Sequence, residues 1–227
     1  MKIGVFDSGF GGIDILKHIV ELMPEYDYVY LGDNARNPYG TKSQSTLEQY
    51  AQEATDFLFK QNCQLVLFAC NTASTQALRK IQQEFIPKNH QGKNALGVII
   101  PACEDAARDG KSIGVIATES SVESGAFIRE ITKINPQAQV IQQACPLLVK
   151  LVETGESDVE ILDKVLNRYL GPLVKQGMDT LLLGCTHYGL LEEHIKRALQ
   201  ALNSDARIVH EGRVVADRFQ RYLKNHP

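Results

Sequence analysis

The sequence predicts an α/β protein made of two similar α/β units, each a parallel sheet covered by helices on both faces. Three observations carry that expectation. Short, continuous apolar runs alternate with helical periodicity along the chain, as strands buried between two helix layers require. The order of elements occurs twice: Ile3-Gly4-Val5-Phe6 is echoed by Ile113-Gly114-Val115-Ile116. Val66-Leu67-Phe68-Ala69-Cys70-Asn71-Thr72 is echoed by Leu181-Leu182-Leu183-Gly184-Cys185-Thr186-His187, so each round has a cysteine just past the end of a buried strand.

The first round opens with a strand at Ile3–Phe6 that runs into Asp7-Ser8-Gly9. Helical spacing extends from Gly12 to Met23, and Pro24 ends it. Asp27–Gly32 is a second strand. Asp33–Lys42 carries Asn, Pro and Gly and reads as a loop. Ser45–Gln61 places Leu47, Tyr50, Ala51, Ala54, Phe57 and Leu58 on one helical face. Leu65–Ala69 is an apolar strand, followed by a helix at Thr75–Phe85 and then Pro87. The second round begins with a strand at Ala95–Ile100, before Pro101. A strand at Ser112–Ile116, a helix at Gly125–Ile134 closed by Asn135-Pro136, and a strand at Gln139–Ile141 come next. Asp158–Gln176 is helical, with a kink or break expected at Gly171-Pro172. A strand at Thr180–Leu183, a helix at Leu190–Leu202, a strand at Ile208–Val209 and a helix at Arg213–Lys224 finish the chain. No flexible linker separates the rounds, so the units are expected to pack face to face.

Composition narrows the function classes. A chain of 227 residues is long for one domain and sufficient for two small ones. With 24 basic and 27 acidic side chains it has no basic footprint for nucleic acid. No apolar run approaches the roughly 20 residues that cross a bilayer, and Asp7 cuts the N-terminal apolar stretch too short for a signal peptide. The expected compartment is the cytoplasm, with no membrane partner. The cysteines form no CxxC pair or zinc-ribbon spacing, so they read as free thiols.

Ligands in open α/β sheets bind outside the carboxyl ends of the strands. Five strands here end in polar groups: Asp7 and Ser8 after the first, Asp33 after the second (near Pro38-Tyr39-Gly40), and Cys70, Asn71 and Thr72 after the third. Thr118 and Ser121 follow Ser112–Ile116, and Cys185, Thr186 and His187 follow Thr180–Leu183. That set fits a site shared between two units.

Buried cysteines are usually inert apolar side chains, and Cys63, Cys103 and Cys145 are read so. Cys70 and Cys185 differ, because each sits at a strand-to-helix junction where a helix N-terminus lowers a thiol pKa from about 8.5. Two thiols on opposite faces of one carbon suit racemisation, one removing the α-proton as thiolate and the other returning a proton as thiol. The neighbouring hydroxyls and amides suit a substrate carboxylate. Asp7 is either an Asx-turn or capping residue before the glycines or the partner of Cys70. His187 is either a structural histidine or the partner of Cys185, held by Glu153; for Glu153 alone a solvated carboxylate is the simpler reading. No lysine sits in a setting for a pyridoxal Schiff base, so no cofactor is expected. Cys185 and His187 lack further ligands at a zinc spacing, so no metal is expected. Gly9 and Gly11 would begin a GxGxxG loop only if a glycine stood at Asp14, and the turn reads instead as close packing or N–H donation to a carboxylate. Arg79 is too far along its helix to make Cys70 a thiol phosphatase.

Taken together, Phe6-Asp7-Ser8-Gly9-Phe10-Gly11-Gly12, Leu31-Gly32-Asp33-Asn34-Ala35-Arg36 with Pro38-Tyr39-Gly40, Ala69-Cys70-Asn71-Thr72-Ala73-Ser74 and Gly184-Cys185-Thr186-His187-Tyr188 resemble bacterial glutamate racemases. The weaker Cys145-Pro146-Leu147 with Leu151-Val152-Glu153 also fits. The resemblance runs from residue 3 to about residue 220, in order. It implies two domains related by pseudo-twofold symmetry, 1–97 with 209–227 and 98–208, and an active site at their interface. It implies a cofactor-independent exchange with Cys70 and Cys185 as the two bases, Asp7 and His187 assisting them, and Glu153 behind His187. Substrate contacts are implied for Ser8, Tyr39, Gly40, Asn71, Thr72, Thr118, Ser121 and Thr186. The implied small-molecule partner is glutamate, with D-glutamate supplied to peptidoglycan synthesis, and enzymes of this kind are often homodimers. The chain departs from the family pattern at Ala117, Ser121, Gly189, Pro101-Ala102-Cys103-Glu104 and His210-Glu211-Gly212. The wider superfamily shares the two cysteines. A racemase for aspartate or another amino acid, or a binding or regulatory homologue without turnover, are therefore the other readings.

Overall fold

A computed structural model describes residues 1–226. Eight strands form two four-stranded sheets in which every pair is parallel. The first contains β1 (Lys2–Asp7), β2 (Asp27–Gly32), β3 (Leu65–Phe68) and β4 (Asn94–Gly97) in the order β2-β1-β3-β4. The second contains β5 (Ser112–Ala117), β6 (Gln139–Ala144), β7 (Thr180–Gly184) and β8 (Arg207–Val209) in the order β6-β5-β7-β8. The orders coincide when β1 is matched to β5 and β3 to β7, the pairing that the sequence echoes predict. Registers agree as well: Ile3 and Phe6 face Leu65 and Phe68, while Ile113 and Ile116 face Thr180 and Leu183.

Helix α1 (Gly12–Leu22) joins β1 to β2, and α2 (Gln44–Lys60) joins β2 to β3. Between β3 and β4 lie α3 (Asn71–Gln76), α4 (Leu78–Lys80), a π-helical turn at Ile81–Phe85 and α5 (Ile86–Asn89). Helix α6 (Ile99–Asp109) leads into β5, and α7 (Glu119–Glu123) and α8 (Ala126–Ile134) follow it. Helices α9 (Pro146–Glu153) and α10 (Val159–Lys175) follow β6, α11 (Thr186–Gly189) and α12 (Glu192–Ala201) follow β7, and α13 (Glu211–Asn225) follows β8.

Alternation of side chains along each strand divides the interior into four apolar layers. Ile3, Val5, Leu65 and Leu67 meet Ile15 and Ile19 of α1 and Val215 and Phe219 of α13 on one face of the first sheet. Phe6, Val66 and Phe68 meet Leu47, Leu58 and Phe59 of α2 on the other. In the second sheet Ile113, Val115 and Leu182 pack on Cys103, Ala106 and Phe127, while Ile116, Leu181 and Leu183 pack on Leu162, Leu166, Leu170 and Ile195. Among the described residues no helix is long and apolar enough to cross a membrane.

Several elements differ from the sequence expectation. The predicted strand Ala95–Ile100 is a strand only to Gly97, and its second half opens α6. The apolar run spans both, and Pro101 is accommodated in the first turn of α6, where no intrahelical N–H bond is lost. The helix predicted at Thr75–Phe85 begins at Asn71, directly behind Cys70, and is broken at Ala77. Helix α9, absent from the prediction, starts with proline at its first position. Helix α10 continues through Gly171-Pro172, because Leu166, Leu170 and Leu173 keep one buried face across that pair. The loop predicted at Asp33–Lys42 contains a single 3-10 turn at Tyr39–Thr41.

Candidate active site

The strand order locates the crevice. From β1 the chain moves outward to β2, then returns to the far side of β1 as β3, so the gap at the carboxyl ends of β1 and β3 is a switch point where connecting helices diverge. Asp7 ends β1, and Cys70 lies just beyond β3. The second sheet repeats this at β5 and β7, with Thr118 just past β5 and Cys185 just past β7. The two crevices share one narrow cavity of about 40 Å³. Ser8, Tyr39, Gly40, Cys70, Asn71 and Thr72 line it from the first sheet's side, and Thr118, Cys185, Thr186 and His187 from the second's. Of the predicted site residues only Asp7, Glu153 and Ser121 stand behind this wall.

Cys70 caps α3: its sulfur accepts the Ala73 N–H at 3.4 Å, and its thiol points at Ser8 Oγ at 3.5 Å. Cys185 precedes α11, with its sulfur 3.8 Å from His187 Nδ1. The other ring nitrogen, His187 Nε2, meets Glu153 Oε1 at 2.5 Å. A neutral imidazole donating to Glu153 keeps its lone pair at Nδ1, facing the thiol. Glu153 thus pairs with His187 and is not a free surface carboxylate.

The expected lowering of the thiol pKa values is overturned. Burial pushes Cys70 up to about 12, and the charge of Asp7 adds to it; the Ala73 N–H and Ser8 oppose the rise without cancelling it. Cys185 is raised well above its ordinary value, again by burial, then by Cys70, Asp7 and Glu211, with only the His187 N–H working against them. Two short helix termini do not outweigh complete burial.

Asp7 is fully buried. Its Oδ2 accepts the Gly9 N–H at 2.9 Å, the Asx-type turn the sequence allows, while its Oδ1 accepts the Thr186 hydroxyl at 3.3 Å. Burial raises its pKa, against His187, the N–H groups of Gly9 and Gly12, and Thr186. It makes no hydrogen bond to Cys70 among the described residues; its effect on that sulfur is electrostatic.

Contacts between the two sides are close. Thr72 Oγ1 lies 3.0 Å from Thr118 Oγ1, which in turn donates to Ser121 Oγ at 3.0 Å. Ser121 therefore supports Thr118 from behind. A Cβ on Gly11 would stand 2.5 Å from Thr186 Oγ1 and 2.8 Å from the His187 nitrogen, so the glycine-rich turn gives room to the second cysteine's loop. Tyr39 forms cavity wall with its ring, because its hydroxyl is taken by Asp33 Oδ2, which also accepts Arg36 Nε at 2.6 Å.

Sequence reasoning missed several lining groups. Asn37, Pro38, Thr41, Glu119, Pro146 and Lys150 face the cavity, as does Cys145, which was read as inert core. It also missed Glu211, a buried carboxyl accepting Asn71 Nδ2 at 2.7 Å. Burial raises Glu211 to about 8 despite that bond. An acidic residue opening a helix reads as an ordinary dipole partner, and nothing local distinguishes this one.

Comparison with known proteins agrees with this geometry. The family model described as Asp/Glu/hydantoin racemase matches residues 3–211. A glutamate racemase of Aquifex aeolicus (strain VF5) is 42% identical over 228 residues, covering 99% of this chain and 84% of that protein. The crystal structure of glutamate racemase from Francisella tularensis subsp. tularensis SCHU S4 in complex with D-glutamate superposes with a TM-score of 0.88 at 31% identity, covering 99% of this chain and 81% of that one. A glutamate racemase isoform from Bacillus anthracis gives a TM-score of 0.90 at 31% identity, with 99% and 82% covered. With the paired sheets, the shared cavity and its two cysteines, these likenesses make the chain a member of the Asp/Glu/hydantoin racemase family.

Proposed function

We propose that the protein is a cofactor-independent glutamate racemase in which Cys70 and Cys185 exchange the α-proton. The carrying observation is that these two sulfurs, from matching strand ends of two sheets, open onto one cavity. Relatives at about 40% identity named glutamate racemase support the choice of substrate.

In this mechanism one sulfur enters the cycle as thiolate and the other as thiol. The thiolate takes the Cα proton, leaving a carbanion delocalised onto the substrate carboxylate, and the opposite S–H gives its proton to the other face. The two sulfurs end with exchanged protonation, and the reverse reaction exchanges them back. Both thiols are held neutral by burial, so the thiolate forms only when its proton is handed on; His187, steadied by Glu153, is the acceptor beside Cys185, and Asp7 takes that part for Cys70 through a bridging water or substrate group. The substrate ammonium, entering the cavity, favours the thiolate by opposite charge. Ser8, Asn71, Thr72, Thr118 and Thr186 supply polar groups for the substrate, Gly40 and the Tyr39 ring shape the wall, and Ser121 positions Thr118. The domains in this reading are 1–97 with 209–227 and 98–208, with the boundary moved past Val209, which pairs with Leu182 in the second sheet. A homodimer in the cytoplasm, supplying D-glutamate for peptidoglycan, completes the reading.

The test is solvent exchange. Purified protein in D2O with L-glutamate, L-aspartate or other amino acids is followed by NMR for loss of the α-proton. Exchange of glutamate is expected. Exchange of aspartate alone replaces the substrate, and exchange of no amino acid removes the racemase reading.

A further inference from the structure

A second cluster of chemistry-bearing side chains lies outside the reaction cavity, where α1, α12 and α13 meet. Asp14 and His18, one turn apart, share a face of α1; His210 immediately precedes α13; Glu192 opens α12. None of the four lines the cavity. Asp14, His18 and His210 each offer a ligand atom, and those atoms all lie within 4.8 Å of one another. His18 Nε2 stands 4.0 Å from Asp14 Oδ1, and His210 Nε2 stands 3.7 Å from Asp14 Oδ2 and 3.2 Å from Glu192 Oε2. The two imidazole rings meet edge to face, with centroids 5.3 Å apart.

Asp14, His18 and His210 converge without hydrogen bonds joining them among the described residues; His210 Nε2 makes its closest ion-pair contact with Glu192, whose Oε1 also pairs with Lys196 at 2.8 Å, and His210 Nδ1 is buried without any partner. Separations of 3.7 to 4.0 Å are too long for hydrogen bonds. They are close to those around a first-row ion, where bonds of about 2.0–2.2 Å set neighbouring ligand atoms roughly 3–4 Å apart. On the outer side, His18 Nδ1 lies 3.8 Å from the exposed Glu21 Oε2, beyond hydrogen-bond reach. Backbone closeness is part of the arrangement. A Cβ on Gly212 would stand 2.4 Å from His18 Cδ2 and 3.1 Å from Asp14 Oδ2, so any other residue there pushes the ligands apart. All four side chains keep between a fifth and a quarter of their surface exposed, which admits an ion and its remaining waters.

We propose that Asp14, His18 and His210, with Glu192 beside them, bind one divalent transition-metal ion of the zinc class and thereby clasp α1, α12 and α13 together. Two imidazoles and carboxylate oxygens are the donor set that favours Zn²⁺ and its neighbours over Mg²⁺ or Ca²⁺. This inference does not depend on the racemase reading, and the ion takes no part in proton transfer.

The test uses untagged, chelator-stripped protein titrated with Zn²⁺ in equilibrium dialysis, and with Co²⁺ followed by visible absorption. The expected result is one ion per chain, Co²⁺ d–d bands without a near-ultraviolet thiolate charge-transfer band, and a thermal midpoint that rises with Zn²⁺. Binding should persist in C70S/C185S and be lost in H18A/H210A. D14N, which keeps the shape of the side chain, should weaken it at least tenfold and serves if the double variant fails to fold. Absence of stoichiometric binding, binding unchanged in H18A/H210A and D14N, or a thiolate band that vanishes in C70S/C185S each overturns the proposal.

Discussion

The Thr186 hydroxyl donates to Asp7 Oδ1 across 3.3 Å, joining residues 179 positions apart. The contact ties the end of β1 to the residue after Cys185. It also explains why one carboxyl influences two thiols: the charge of Asp7 raises both Cys70 and Cys185.

Removing either sulfur should stop the exchange. Cys70→Ala and Cys185→Ala are each expected to lower racemisation of glutamate by at least ~10³-fold, within the range for lost acid–base groups. Circular dichroism of the substrate measures this directly. Full activity in either variant contradicts the two-base mechanism.

Asp7 and Glu153 should differ in a way that a purely structural role does not produce. The charge of Asp7 bears on both thiols, whereas Glu153, in the proposed mechanism, acts through His187 on Cys185 alone. Asp7→Asn is therefore expected to reduce kcat in both directions. Glu153→Gln should reduce kcat mainly in the direction in which Cys185 is the base, by roughly ten- to a hundredfold, less than loss of a direct acid–base group, with KM for that enantiomer falling relative to the other so that kcat/KM stays equal in both directions. Saturating rates from L- and D-glutamate separate the cases, and equal losses of kcat in both directions for Glu153→Gln would refute its assignment to Cys185.

All five thiols are raised by burial, and Cys70 reaches about 12. The folded protein should show no thiolate absorbance at 240 nm growing in between pH 7 and 9, whereas the denatured chain should titrate near the ordinary value of about 8.5. The linkage has a definite sign. A folded pKa above the unfolded one means that unfolding releases protons above about pH 8.5. The stabilisation from these thiols is complete below that pH and declines as pH rises toward 12. A folded-state inflection near pH 8 would contradict the burial argument.

Gly40 approaches Thr118 so closely that an added Cβ would lie 2.7 Å from the threonine Cβ. Gly40→Ala should cost about 1–3 kcal/mol, as overpacking does, and should raise KM because the two walls of the cavity are forced apart. Denaturant melts and steady-state kinetics give both quantities; an unchanged KM would detach this contact from substrate binding.

The strands, their doubling and the two cysteines were legible because their signals are local. A run such as Val66–Ala69 is apolar on both faces, and Cys70 follows it directly. The glycine-rich turn was only half legible: its tight packing was foreseen, but not that Gly11 packs against Thr186 and His187. Asn71 with Glu211 was invisible, because the partners lie 140 positions apart and each has an ordinary helix-terminal reading. The thiol pKa values went the wrong way for a similar reason. A helix start can be read from a few residues, but complete burial depends on the whole fold.

Helix α13 carries a consequence for how the molecule is made. The chain leaves the second sheet at β8 and then lays Val215, Ala216, Phe219 and Leu223 over Ile15 and Ile19 of α1. During synthesis the earliest sheet therefore waits, with one oily flank uncovered, until α13 has been made. A chain released before residue 211 should be sticky and protease-sensitive at its beginning, although it holds all eight strands described.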